Sequence, residues 1–379
     1  MAAKKKAKAA VAVANFEDLN SILGDVTATG TNSADLAGFL HTGSRGLDWA
    51  LTNGRFRGGY PQGRLIELYG GAAAGKTSAA IHALIAAQQG NGVLVDWADK
   101  GNGVVQPEPS SDREMQEGLA ILIDSEAKFD MARASSMGLN PQKLHRIQGS
   151  IEKPLTVESM IESLSTIMDR VQGIPEFQTG ERPVVIVVDS ISAAATEDEM
   201  EGNALKGGIA SKPRTVRAAL RKLTGRFAAL NVTCFMISHL AANIGSVGST
   251  PTGSGKAIGY FASLRFNMKK GFNQDLSLEG KQVGITTQFN CTKSSVSVPF
   301  VDPVNVPNVW ATGFDETWES LRFLADNSNN VVSKSGAWIK VQTPEGEKSY
   351  YEKDLVPELR QNQELRNIIL AEFDRLHKM

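Results

Sequence analysis

The sequence predicts an α/β fold built on a mostly parallel, twisted sheet with helices on its faces. Apolar, strand-like runs alternate with helical patterns through most of the chain, which is typical of βαβ units. One run, Val184–Val188, is apolar without alternation, as expected of a strand that is buried on both faces at the centre of a sheet. A glycine-rich segment also lies between an apolar run and a helical run, as it does in nucleotide-binding α/β folds.

Six runs are predicted to be strands of this sheet, and a helix is predicted to follow the first of them at 78–89. The runs cover residues 65–69, 121–124, 184–189, 233–238, 264–268 and 284–290. Residues 93–118 contain several Gly, Pro and Ser residues and are predicted to be an inserted surface loop. Residues 200–211 and 241–256 are rich in glycine and small residues, so we predict two mobile loops there.

The chain is predicted to have three parts. Residues 1–41 are predicted to include a basic N-terminal arm, and residues 42–301 are predicted to form the core. A change of composition near Pro303–Pro307 marks the start of a small α/β unit at 302–379, which ends in a charged helix from about residue 362 to residue 378.

Composition places few limits on function. The 379 residues carry a formal net charge of −1, so any contact with nucleic acid must come from a local basic patch. No apolar stretch approaches the roughly 20 residues that cross a membrane, and only Cys234 and Cys291 carry thiols, which predicts a cytoplasmic protein without membrane contact.

Residues 70–77 fit the motif G-x-x-x-x-G-K-[ST]. Glycine frees the backbone to wrap a polyphosphate, so that N–H groups and the positive end of the following helix point at it. Lys76 is predicted to reach the β- and γ-phosphates, and the Thr77 hydroxyl to bind Mg²⁺. The predicted ATP-binding loop consists of Gly70, Gly71, Ala72, Ala73, Ala74, Gly75, Lys76, Thr77 and Ser78.

Two carboxylates follow predicted strands and are candidates for the chemistry. Asp189 ends the buried run 184–189 in a Walker B pattern and is predicted to bind Mg²⁺ through water, although an aspartate there also suits a turn. Glu126 follows the run 121–124 and is our candidate general base, because it lies just beyond the strand end where it can reach an attacking water. Asp96, after the run 93–95, is the rival candidate.

His239 ends another apolar run, 233–238, immediately before the second predicted loop. A histidine in this position can bond the γ-phosphate and couple the nucleotide state to the order of the loop. The alternative is a structural histidine that caps the end of the strand.

The chain resembles RecA-type recombinases, bacterial RecA proteins and phage UvsX-like recombinases, from about residue 42 to its C-terminus. The resemblance lies in the order and spacing of short motifs that include the ATP-binding loop. The others are Asp124–Glu126, Val185–Ser190, Glu199–Gly202, Arg221–Leu223, Phe261–Arg265, Val298–Phe300 and Gly336–Trp338.

The resemblance implies a RecA-like ATPase core, two DNA-binding loops at about 200–211 and 241–256, and a C-terminal domain. It implies that residues 1–41 include a segment that contacts other protomers. It also implies a helical filament of many copies on single-stranded DNA that pairs with homologous duplex DNA, with single-strand-binding and loader proteins as further partners. The residues predicted to contact DNA are Arg214, Arg217, Arg221, Lys206 and Lys256. Three of these arginines are spaced three and four residues apart, which puts them on one helical face; the alternative is a solvated surface.

Three positions in the nucleotide site differ from the bacterial members of this family. Arg133 stands where the family stacks an aromatic residue on adenine, and a planar guanidinium can also stack on a base. Lys293 corresponds to a lysine that reaches the ATP of the next subunit, whereas Ser295 replaces a second such lysine. His239 replaces a glutamine and matches the phage members of the family.

Two other functions fit the same motifs. A hexameric helicase or other RecA-fold motor would share Lys76, Glu126 and Asp189 but would use the two loops for translocation. A recombination mediator would bind nucleotide and partner proteins while hydrolysing little ATP. The paired loops and the Gly336–Trp338 motif favour the recombinase.

Overall fold

The computed structural model describes residues 35–99, 105–150, 152–201, 211–242, 249–251, 253–278, 280–297, 299–327 and 330–378. The strands are β1 Gly38–Leu40, β2 Tyr60–Pro61, β3 Leu65–Gly70, β4 Gly92–Asp99, β5 Val105–Pro109, β6 Leu119–Asp124, β7 Leu144–Gln148, β8 Val184–Asp189, β9 Val232–Ala242, β10 Ser249–Pro251, β11 Leu264–Leu278, β12 Lys281–Ser294, β13 Val304–Val309, β14 Gly313–Phe314, β15 Val332–Ser335, β16 Trp338–Thr343 and β17 Gly346–Tyr351.

The helices surround these strands. They are α1 Arg45–Ala50, α2 Lys76–Gln89, α3 Met131–Ser136, α4 Val157–Val171, α5 Pro175–Gln178, α6 Glu197–Met200, α7 Ser211–Ala229, α8 Gly253–Phe261, α9 Glu316–Asp326, α10 Glu352–Gln361 and α11 Gln363–His377, with a short 3₁₀ helix at Pro141–Lys143. Among the described residues, no helix combines the length and the apolar character needed to cross a membrane.

One large sheet dominates the fold, in the order β14-β13-β12-β11-β3-β9-β8-β6-β7, with β10 paired to β9. The strands from β11 to β7 in this order are mutually parallel. The strands from β12 to β14 continue the sheet in antiparallel pairs. The predicted α/β fold with a mostly parallel sheet is therefore confirmed, and all six predicted runs are strands of this sheet.

Strand β8 shows why its sequence lacks alternation. Val185 and Val187 pack into the apolar cluster on the α2 face of the sheet. Val184, Ile186 and Val188 pack into the cluster on the opposite face, together with residues of α4 and α7. Because both faces are covered, every position of the strand is apolar. The strand lies inside the sheet between β9 and β6, while β3 occupies the middle of the strand order.

Helix α4 illustrates how the sequence specifies the covering layers. The Thr156 hydroxyl accepts a hydrogen bond from the Ser159 backbone N–H, and the Ser159 side chain accepts one from the Thr156 backbone, which forms a capping box. Apolar residues then recur at helical spacing and form the buried face, namely Val157, Met160, Leu164, Met168 and Val171. This face packs against the sheet beside α7.

The prediction of a surface loop at 93–118 was wrong for residues 93–99 and 105–109. Residues of this segment form β4 and β5, which pair in antiparallel fashion and complete a four-stranded sheet in the order β2-β1-β4-β5. Val95 on β4 packs with Phe39 and Phe56 in a small apolar cluster. The prolines of β5 indicate a loop when the sequence is considered alone. Because β5 is an edge strand, however, proline is tolerated there.

The two predicted mobile loops have different outcomes. Residues 202–210, which include Lys206, lie outside the described residues. The second predicted loop at 241–256 is wrong for the part that the structure describes, because β9 extends to Ala242, β10 pairs back on it, and α8 already begins at Gly253. Lys256 therefore belongs to a helix, and 243–248 and 252 lie outside the described residues.

The C-terminal unit contains the sheet β15-β16-β17 and helices α9 to α11. The predicted boundary at residue 302 precedes β13 and β14, which hydrogen bond to the large sheet, so the sheet continues to Phe314. The predicted terminal helix at 362–378 corresponds to α11. Of the predicted N-terminal arm, residues 1–34 lie outside the described residues, and β1 belongs to the four-stranded sheet.

Polar contacts join the C-terminal unit to α1. Arg45 Nη1 lies 2.5 Å from Asp374 Oδ2, and Trp49 Nε1 donates to Asp374 Oδ1 at 2.9 Å. Ser44 Oγ donates to Glu319 Oε1 at 2.7 Å, and burial raises the pKa of Glu319 to about 8. These contacts fix α9 and α11 against the start of the core.

Candidate functional site

Four strand ends meet at one edge of the large sheet. β3, β9, β8 and β6 are adjacent and parallel, so their carboxyl ends point the same way. Gly70 at the end of β3 is paired with His239 on β9, and Asp124 at the end of β6 is paired with Asp189 on β8. Side chains from four separate segments of the sequence are thereby brought to one place.

The glycine-rich loop after β3 is shaped for close approach. Gly75 has φ 93°, a left-handed conformation that favours glycine, and a Cβ there would lie 2.4 Å from Thr287 Oγ1. A Cβ on Gly70 would lie 2.1 Å from the carbonyl oxygen of Met268 on β11. At Gly71, by contrast, a Cβ would meet nothing within 4 Å. Residues 71–73 are exposed, so the loop presents its backbone to an incoming ligand.

Lys76 and Thr77 begin α2 directly after this loop. Lys76 is buried, and its Nζ donates to the carbonyl oxygens of Gly70 at 3.0 Å and Gly71 at 2.7 Å. Burial lowers the pKa of Lys76, against the raising effect of the Asp189 and Glu126 charges. Thr77 Oγ1 donates to Asp189 Oδ2 at 3.2 Å. The residue types predicted to hold phosphate and metal therefore stand beside one another.

Asp189, Glu126 and His239 form a compact group, with one ligand atom of each lying within 4.8 Å of the others. Burial raises the pKa of Asp189, and the nearby Glu126 charge adds to this effect. A cation beside Asp189 would favour its charged form. Hydroxyl and carboxylate oxygens are the ligands that Mg²⁺ prefers, so Thr77 and Asp189 fit the predicted metal.

The side chain of Glu126 is held by contacts that we did not predict from the sequence. Ser190 Oγ donates to Glu126 Oε1 at 3.1 Å, and Lys128 Nζ donates to Oε2 at 3.2 Å. His239 Nε2 lies 3.3 Å from Oε1. Burial raises the pKa of Glu126, but the Lys128 and Ser190 hydrogen bonds and the charges of Lys128 and His239 outweigh it, so the pKa is lowered. Glu126 is thus ionised at neutral pH and able to accept a proton.

The rival base Asp96 lies in a different part of the fold. It belongs to β4 in the four-stranded sheet, not to the large sheet that carries Asp189. Arg113 Nη2 donates to Asp96 Oδ1 at 2.5 Å, and hydrogen bonding from Ser110 lowers the pKa of Asp96. The geometry therefore favours Glu126 as the base.

Arg133 lies beside the loop, at Ser78. Its Nη2 donates to Ser78 Oγ at 2.8 Å, and its Nε donates to the Trp310 carbonyl oxygen at 3.1 Å. Asn308 Nδ2 also donates to Ser78 Oγ, at 3.2 Å. Sequence reasoning missed Asn308, which is far away in the chain and part of no motif. Burial lowers the pKa of Arg133.

Lys293 stands apart from the group around Asp189. It lies on β12, and its Nζ donates to the carbonyl oxygens of Gly259 at 3.2 Å and Tyr260 at 2.9 Å on α8. Its ammonium group therefore contacts α8 rather than the glycine-rich loop. The predicted role towards the ATP of a neighbouring subunit stays a prediction.

The basic face of α7 has the geometry that its spacing predicts. Arg214, Arg217 and Arg221 are all exposed. The opposite face of the helix is buried through Val216 and Leu220. Arg217 also lies over the ring of Tyr260, with its Cζ 5.7 Å from the ring centroid. An exposed row of guanidinium groups is suited to contact with phosphates.

The model of the RecA N-terminal domain family matches residues 20–105 and 101–315 of the chain, which is most of its length. The chain belongs to the RecA family. Among its relatives is Protein RecA of Porphyromonas gingivalis, 28% identical over 318 residues that cover 83% of this chain and 78% of the relative. Protein RecA of Bacteroides thetaiotaomicron is 28% identical over 340 residues, 89% of this chain and 88% of the relative. The resemblance to RecA-type recombinases is confirmed.

Membership of the RecA family indicates the general activity that this site serves. A RecA-family chain is expected to be an ATPase that depends on DNA and uses Mg²⁺, and to work in recombination and repair. The RecA-like core corresponds here to the large sheet and its helices, which carry every residue of the group around Asp189.

Proposed function

We propose that this RecA-family chain is a DNA-dependent ATPase that forms helical filaments on single-stranded DNA and catalyses homologous pairing and strand exchange. One observation carries the proposal: Lys76, Thr77, Asp189, Glu126 and His239 converge at one edge of the sheet. From this edge, β9 continues from His239 to Ala242, within the segment 241–256 that we propose contacts DNA. On this proposal, the nucleotide site and the DNA-contacting segment are neighbours along one strand.

Each residue of the site has a role in hydrolysis. The backbone of residues 70–75 and the Lys76 ammonium bind the phosphates of ATP and orient them. Mg²⁺, bound by Thr77 and Asp189, would neutralise phosphate charge. Glu126 orients the attacking water and accepts its proton. Ser190 and Lys128 fix the Glu126 carboxylate in place for this step.

His239 links this chemistry to DNA. Its Nε2 is 3.3 Å from Glu126 Oε1, and the strand that carries it continues to Ala242. A bond from His239 to the γ-phosphate would last only while ATP is bound, so the strand can report the nucleotide state to 241–256. Lys293, from the next subunit, would contact the ATP from the other side, which makes ATP a clamp between protomers.

The DNA would be held by its phosphates, which leaves sequence recognition to base pairing. Single-stranded DNA and a homologous duplex are therefore the proposed substrates, and further copies of the chain are the proposed partners. Single-strand-binding and loader proteins are further candidates. The exposed row on α7 and the lysines Lys206 and Lys256 would supply the positive charge.

Replacing Arg214 or Arg221 by alanine is expected to weaken binding to single-stranded DNA and to reduce its salt dependence. Each lost phosphate contact should lower the slope of log K against log salt by roughly 0.7 for a single strand. Fluorescence anisotropy over a salt series measures both quantities.

Arg226→Ala is the matched control, because Arg226 is on the same helix but Asp169 accepts its hydrogen bond at 2.5 Å. We expect its slope to stay close to that of the unaltered chain. If the slopes of Arg214→Ala and Arg221→Ala also stay unchanged, the basic face is a solvated surface and the DNA contact lies elsewhere.

Electron microscopy of the chain with single-stranded DNA and a slowly hydrolysed ATP analogue tests the proposed function as a whole. Long helical filaments are expected, because an interfacial ATP joins successive protomers. Closed rings would indicate a hexameric helicase or motor instead. Isolated monomers that retain ATP would indicate a recombination mediator.

A further inference from the structure

A lysine at the start of α7 connects this helix to the turn that follows Asp189. Lys212 Nζ donates to the carbonyl oxygen of Ser192 at 2.7 Å and also to that of Ala194. Burial lowers the pKa of Lys212, while the charge of Glu199 raises it. Hydrogen bonds to two backbone carbonyl oxygens thus replace the hydration of the ammonium group. These two bonds hold α7 and the turn at a fixed separation.

The same turn holds the proposed base. Ser192 Oγ lies 3.0 Å from Ser190 Oγ, and Ser190 Oγ donates to Glu126 Oε1 at 3.1 Å. The turn is closed by a hydrogen bond from the Ala193 N–H to the Ser190 carbonyl oxygen at 3.1 Å. Ser125 Oγ donates to that carbonyl oxygen at 2.7 Å and accepts from the Ser190 N–H at 3.0 Å. Hydrogen bonds therefore connect Lys212 to Glu126 through residues Ser192 and Ser190 of the turn.

The other side of α7 faces outward. Arg214 follows Lys212 by two residues and is exposed, as are the other two arginines of the row. The Lys212 ammonium group instead donates to backbone carbonyl oxygens of the turn that follows Asp189. Helix α7 therefore presents its three arginines to solvent. Through Lys212, the same helix contacts the turn that holds Glu126.

We propose that Lys212 is a positioning residue through which DNA bound on α7 adjusts Glu126. When DNA binding shifts α7, the two hydrogen bonds of Lys212 move the turn at residues 190–194 together with the helix. Ser190, within that turn, then moves the Glu126 carboxylate. This route is separate from β9 and His239, and it rests on the proposed function only in that DNA binds the exposed face of α7.

The test is Lys212→Met, which keeps a long side chain but removes the donors. ATP turnover is measured with and without single-stranded DNA, and the DNA affinity is measured at the same salt concentration. We expect turnover with DNA to fall by roughly two- to thirtyfold, the range found for residues that couple two sites. Turnover without DNA and the affinity for DNA should stay unchanged. Lys212→Arg should restore the stimulation, because arginine retains donors for both carbonyls.

Lys143→Met is the matched control, since Lys143 is a surface lysine whose ammonium group pairs with Glu117 and not with the turn after Asp189. It should change neither rate. An equal loss of both rates in Lys212→Met would show a merely structural lysine and overturn the proposal, as would unchanged stimulation. If Lys212→Met does not fold, Ser192→Ala breaks the next link in the same set and should also lose stimulation; retained stimulation there overturns the proposal.

The proposed function can fail in a different way. An unaltered chain whose ATP turnover does not respond to single-stranded DNA would overturn the DNA-dependent ATPase, and this inference with it. If single-stranded DNA stimulates ATP turnover equally in the unaltered chain and in Lys212→Met, only the proposed role of Lys212 is overturned.

Discussion

ATP turnover by Glu126→Gln is expected to be lower than that of the unaltered chain by roughly 10² to 10⁴, the usual effect of losing a general base. Glutamine has nearly the same shape, and its amide oxygen can still accept the hydrogen bond from Ser190. It cannot accept a proton from water at neutral pH. Steady-state turnover with saturating single-stranded DNA measures the loss, and a fluorescent ATP analogue should bind with unchanged affinity.

Asp96→Asn is the matched control for this change, because Asp96 is the other carboxylate that the sequence offers as a base. It lies in the four-stranded sheet and pairs with Arg113, so its replacement should leave turnover unchanged. Normal turnover in Glu126→Gln, combined with a loss in Asp96→Asn, would transfer the role of base to Asp96.

Much of the fold and of the site follows from local patterns. The run 65–69, the glycine-rich loop and the helix after it occur in one continuous segment, so the spacing of glycine, lysine and threonine specifies the whole unit. The buried strand β8 is equally explicit, because an unbroken apolar run ending in Asp189 needs both faces covered. These features depend on neighbours in sequence.

The features that sequence reasoning missed depend on distant neighbours. Ser190 and Glu126 are 64 residues apart, and Asn308 is 230 residues from the Ser78 hydroxyl that it binds. No periodicity encodes such pairs. The ribbon of β4 and β5 was missed for another reason: its prolines suggest a loop unless one knows that β5 is at the edge of a sheet.

Lys76→Ala is expected to weaken ATP binding by at least about 100-fold, the effect of losing hydrogen bonds from a charged donor. Lys76 is 5% exposed and is the first residue of α2, so its ammonium group is directed back at the loop that would wrap the phosphates. Isothermal titration calorimetry with ATP and Mg²⁺ measures the loss. Lys76→Arg separates charge from shape, since arginine keeps the positive charge but replaces the compact ammonium group with a larger planar guanidinium.

If ATP joins neighbouring protomers, Lys76→Ala and Glu126→Gln should have opposite effects on filament assembly. Lys76→Ala removes the ligand at the interface and should abolish filaments on single-stranded DNA. Glu126→Gln keeps ATP bound and should prolong them, because turnover no longer releases the contact. Electron microscopy at equal protein concentration, with ATP rather than an analogue, distinguishes the two. Filaments formed by Lys76→Ala as readily as by the unaltered chain would show that assembly does not need the nucleotide.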